Sequence, residues 1–149
     1  MFDIIKRTWA RSIAVTEFRE AMRENDLISA RKHYLKFQES SFPRYVAMGA
    51  RLHLMERNFD KAKELLEHAI EIAEKKKRRK NLYVIEYCRY HLARLNGDKD
   101  AEDIWLNAHK MNPSERLFDS LPLYRSDKFE DRNFVKAKRE AELSTSKSN

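Results

Sequence analysis

Side chains able to do chemistry are few and dispersed in this chain of 149 residues. Five histidines (His33, His53, His68, His91 and His109) stand apart, with no H-E-x-x-H pair to hold a zinc ion. Cys88 is the one cysteine, so there is neither a C-x-x-C pair nor an intramolecular disulfide. On an apolar helix face it reads as a small core residue. With 2 glycines the chain has no glycine-rich loop to cradle a phosphate. Glu64, Glu67, Glu71 and Glu74 line one helix and read as solvated charge. The expectation is a protein that is not an enzyme, with no catalytic residue, no metal ligands and no cofactor.

The densest charged feature is "KKKRRK": Lys75, Lys76, Lys77, Arg78, Arg79 and Lys80. The net charge is +7, and this run alone supplies six of the seven. Basic character confined to one segment points less strongly to nucleic acid than a basic face spread over a domain. The run reads first as a solvated helix end, where cations favour the negative end of the helix dipole. It would otherwise contact nucleic acid or an anionic membrane surface, or serve nuclear import in a eukaryote.

Such residues need elements to place them. The chain is 42% apolar and 37% charged, with only 3 prolines, as expected for helices joined by short loops. Apolar residues at i, i+3, i+4 and i+7 predict helices at 3–24, 27–39, 43–56, 59–75, 80–95, 98–110 and 130–142. Asn58 reads as a helix N-cap, Asn96-Gly97-Asp98 as a break, and Asn112-Pro113 as the end of the sixth helix. Residues 120–129 lack periodicity. One domain over 1–142 and a disordered polar tail over 143–149 are expected. No stretch approaches the roughly 20 apolar residues that span a bilayer. The N-terminus, broken by Asp3, Lys6, Arg7 and Arg11, is unlike a secretory signal. A cytoplasmic location is expected, or a nuclear one in a eukaryote.

Three stretches share a pattern: "ENDLISARKHYLKF" from 24, "RNFDKAKELLEHAI" from 57 and "NGDKDAEDIWLNAHKMNP" from 96. Each has a polar turn, then Ala30, Ala62 or Ala101, then Tyr34, Leu66 or Trp105 four residues on. A further residue follows seven after the alanine: Phe37, Ala69 or Ala108. Small residues let helix backbones approach closely where they cross. Residues 11–113 thereby resemble the tetratricopeptide repeat, a helix–turn–helix unit of about 34 residues. Ala50, Ala62 and Ala69 occupy that family's small positions in the middle unit, and Phe59 its turn aromatic. Phe18 and Arg89 depart from it, standing where small residues belong.

The resemblance implies an all-α, right-handed stack of about three degenerate repeats with capping helices. The N-terminal helix, carrying Phe2, Ile4, Ile5 and Trp9, would cap one end or lie on a membrane surface. Helix 130–142 would cap the other. The first helix of each unit would line a concave groove. The implied lining is Arg19, Met22 and Arg23; Arg44, Met48, Arg51 and Met55; and Tyr83, Tyr87, Tyr90 and Arg94. Arginine pairs with carboxylates, tyrosine gives rigid contact surface and methionine adapts to apolar side chains. The implied function is a non-catalytic scaffold or adaptor holding an acidic and apolar segment of a partner protein. The alternative is nucleic-acid binding through Lys75–Lys80. Self-association through an uncapped end is a third reading.

Overall fold

The computed structural model describes residues 2–76, 78–111 and Leu143. Among the described residues it contains six α-helices and no strand: α1 (Phe2–Arg23), α2 (Leu27–Tyr34), α3 (Pro43–Met55), α4 (Phe59–Lys76), α5 (Arg79–Asn96) and α6 (Lys99–Met111). The predicted helix 130–142, the irregular stretch 120–129 and most of the polar tail lie outside the described residues.

One turn design recurs three times. Asn25, Arg57 and Gly97 each adopt a left-handed conformation, with φ of 58°, 66° and 71°. The next residue, Asp26, Asn58 or Asp98, donates its N–H to the carbonyl five residues back, on Ala21, His53 or Ala93. This closes the preceding helix as a Schellman motif. The same Asp or Asn then caps the following helix. Asp26 Oδ1 accepts from Ser29 N at 3.0 Å, and Asp98 Oδ1 accepts from Ala101 N at 3.0 Å. Asn58 Oδ1 does so more weakly, from Lys61 N at 3.4 Å. Each turn thus satisfies the polar ends of two helices. The products are three antiparallel pairs, α1/α2, α3/α4 and α5/α6.

Helix α4 also packs against α5, and α3 against both α2 and α5. Helix α3 is therefore central, and every residue from Val46 to Leu54 is buried. Its Gly49 receives the Tyr34 ring from α2. Ala30, Ala50, Ala62 and Ala69 are wholly buried, as close helix crossings require. Phe18, at a position where a small residue was expected, instead anchors aromatic packing. It meets Phe37 edge-on at 5.4 Å, and Phe37 meets Tyr34 at 5.4 Å and Tyr45 at 5.5 Å. Arg89, the other departure, bridges the two neighbours of α5. It bonds Glu74 of α4 at 2.6 Å and lies 4.9 Å over Trp105 of α6.

Helix α2 ends at Tyr34, five residues before its predicted end. Beyond it, Lys36 and Phe37 donate to carbonyls three residues back rather than four. That tightening turns Phe37 into the core. Arg31 forms a bidentate pair with Glu56 that ties α2 to the end of α3. His33 meets Glu17 at 2.9 Å, joining α1 to α2.

Candidate functional site

Most of the expected groove lining is already used for packing. Met48, Arg51, Tyr83, Tyr87, Tyr90 and Arg94 are buried. Arg19, Arg44 and Met55 are half-buried, and Arg23 alone is exposed. Met22, at the first unit's groove position, is also buried. Arg51 belongs to the centre of the molecule rather than to its rim. Burial pushes its guanidinium below the ordinary arginine value, with Tyr87 and then Tyr83 acting in the opposite direction. Arg94 lies 5.4 Å over the Tyr90 ring and 3.7 Å from the Glu102 carboxylate. These side chains join α3, α5 and α6; they do not present an open wall.

The exposed surface of note is on α1. Its core-facing residues are Ala14, Val15, Phe18, Ala21 and Met22. Phe2, Ile5, Trp9 and Ile13 follow one another at spacings of three and four and form a second stripe. Trp9 and Phe18 are nine residues apart, about 2.5 turns at about 3.6 residues per turn, so they point to opposite sides. The second stripe therefore faces outward, with exposures of 76%, 60%, 71% and 48%. An end cap would bury these side chains; no residue from Phe2 to Ile13 is buried.

The inner stripe carries a different anomaly. Continued backward from Phe18 and Val15, it passes through Arg11, Arg7 and Ile4. Two arginines thus take places where the helical period calls for apolar residues. With Thr8, Ala10 and Lys36 they line an open cleft of about 550 Å³. Arg11 also lies 5.4 Å over the ring of Phe42, in the α2–α3 connection. Lys76, from the end of α4, lies 5.1 Å over the same ring. Phe42 is half-exposed and is braced edge-on by Tyr45 at 5.6 Å.

The basic run is thereby divided. Lys75 pairs with Glu71 at 3.1 Å. Lys76 turns to Phe42, Arg78 precedes α5 and is exposed, and Arg79 opens α5 and is exposed. Lys80 follows in the first turn of α5, and Lys77 lies outside the described residues. Reading the sequence placed Arg7 and Arg11 on an amphipathic N-terminal helix but did not join them to Lys36 or Phe42. The available signal was the pair of arginines on the core side of α1.

Among the described residues there is no cluster of three or more His, Cys, Asp or Glu side chains able to hold a metal ion. No helix there is long and apolar enough to cross a membrane. Cys88 is fully buried, and burial pushes its thiol well above the ordinary range. Comparison with protein-family models, curated proteins and solved structures finds no match to this chain.

Proposed function

We propose that the chain is a non-catalytic interaction scaffold, built as a tetratricopeptide-like stack of three helical hairpins, which holds a helical segment of a partner protein. The repeat reading draws support from the thrice-used turn and from the buried alanines. The observation that carries the functional reading is the outward stripe of α1. Large side chains carry roughly 150–250 Å² each, so the four offer roughly 500 Å² of apolar surface. The largest apolar patch on a monomer is commonly about 300–600 Å² and is often a functional contact site. It falls short of the roughly 800 Å² per partner typical of a stable complex. A partner segment that meets the stripe and adds polar contacts at its rim fits better than a dimer held by the stripe alone.

The stripe has the form of a helix-in-groove ligand or of one side of a helix pair. Phe2, Ile5 and Trp9 are the anchors, and tryptophan is a residue type enriched among binding hot spots. A photo-crosslinking residue at position 9, compared with one at position 87, tests this in extract of the native host. The scaffold reading expects one discrete protein adduct from position 9 and none from position 87. Adducts from position 87 alone would return the binding site to the groove. Discrete adducts from neither would remove the scaffold reading.

A further inference from the structure

We propose that the cleft between α1 and the α2–α3 connection, together with Phe42 and Lys76, is a binding site for single-stranded nucleic acid. The site stands apart from the outward stripe and does not rest on the scaffold reading. Cations arrive here from three separate parts of the chain: Arg7 and Arg11 from α1, Lys36 from the α2–α3 connection and Lys76 from the end of α4. Among the described residues, none of these four forms an ion pair. Elsewhere Arg31, Lys61, Lys75, Arg89 and Lys99 each have a carboxylate partner. Like charges gathered without carboxylates repel one another, and a bound polyanion relieves that repulsion.

The arrangement selects among polyanions. Four cations from three elements exceed what one phosphate neutralises and match a backbone that repeats its phosphates. The cleft is concave, so a strand enters it where a flat bilayer would not. Arg11 and Lys76 lie over the half-exposed ring of Phe42, held edge-on by Tyr45, so a base stacks on it as phosphates draw those two side chains off the ring. An aromatic ring beside a cationic track is the arrangement on which unpaired bases stack, and stacking tolerates any base. The basic run then has a role that it lacks as an isolated segment. Lys76 shares the Phe42 ring with Arg11, and Arg78 and Arg79, two and three residues further on, are exposed.

The test is fluorescence anisotropy with a labelled single-stranded 12-mer of mixed sequence, using the full chain, titrated with salt. Arg11→Glu and Lys36→Glu are compared with Lys99→Glu, which makes the same change in net charge on α6. For single strands, each lost phosphate contact should reduce the log–log salt slope by about 0.7, or about fivefold in affinity near 0.1 M salt. Arg11→Glu and Lys36→Glu should each show that loss, and Lys99→Glu little. Phe42→Ala should weaken binding about fivefold or more with the salt slope unchanged, and Phe42→Trp should restore it. Circular dichroism checks each variant, and Arg11→Gln replaces the glutamate variant if that one unfolds. Equal losses for Arg11→Glu and Lys99→Glu would reduce the binding to net charge and overturn the site. So would no binding at 50 mM salt. Equal competition by polyglutamate or by anionic lipid vesicles would overturn the assignment to nucleic acid.

Discussion

Replacing Gly49 with alanine should destabilise the protein, although alanine is the better helix former. Gly49 lies in α3 under the ring of Tyr34. A Cβ added there would sit 2.6 Å from Tyr34 Cζ and 2.8 Å from Cε2. Ordinary carbon contacts are about 3.5–4.0 Å, so the ring would have to retreat by about 1 Å. It has little room to do so. Phe37 meets it edge-on at 5.4 Å, Phe18 stands at 6.1 Å, and Arg31 lies 5.6 Å over its face. Overpacking of this kind costs about 1–3 kcal/mol, against a helix-propensity gain of about 0.5–1 kcal/mol. The net loss should be about 1–2 kcal/mol, lowering Tm by roughly 3–8 °C for a domain of this size. Thermal melting followed by circular dichroism reads it. In a Tyr34→Ala background the same substitution should become neutral or stabilising, because the obstacle is gone. A rise in Tm for Gly49→Ala alone would refute the packing of α2 on α3 described here.

Arg51→Glu should be a stability variant before it is a binding variant. The position is 3% exposed, and an unmatched buried charge costs about 3–5 kcal/mol; a melting curve like that of the wild type would contradict it. His53 should make stability fall on acidification. Burial, and then Arg31, hold its pKa below the ordinary value, with Glu56 opposing them. The folded state therefore binds fewer protons than the unfolded chain. This contribution is complete above the unfolded value of about 6.5 and is lost as pH falls below it toward the lower folded value. Urea midpoints between pH 7.5 and 5 should fall in the wild type and less steeply in His53→Gln, and equal slopes would argue against the assignment. The Cys88 thiol should resist alkylation in the native state and react fully in denaturant, because it is buried and its thiolate is disfavoured. Native labelling at the rate of a free thiol would show the core around α5 to be open.

The helices were legible to within a residue or two wherever a strong apolar period was bounded by turn residues or a proline. Thus α3 was expected over 43–56 and is found over 43–55, bounded by Pro43 and the left-handed Arg57. The end of α2 was not legible, because Lys36 and Phe37 suit a helix equally well. What ends it is the tertiary demand of Phe37 for the core. Ala30, Ala50, Ala62 and Ala69 announced close packing and are wholly buried. The groove was harder to read. Tyrosine, methionine and arginine have apolar bodies and polar tips, so their presence on a face does not say whether that face is wet. Helix α3 carries few charges and little polar surface, and a helix apolar on most sides is normally central. That feature was in the sequence and points to the burial of Met48 and Arg51. The meeting of Arg11 and Lys76 at Phe42 was beyond sequence reasoning, since only the fold brings residues 11, 42 and 76 together.

The most direct test of the scaffold claim is a nuclease-treated pull-down from host extract. It would compare the wild type with the pair Trp9→Arg and Ile13→Asp, which alters only exposed positions on α1. The account predicts a discrete partner protein retained by the wild type and lost from the pair, with equal helicity in both. Equal retention by the two proteins, or no partner surviving nuclease in either, would contradict it.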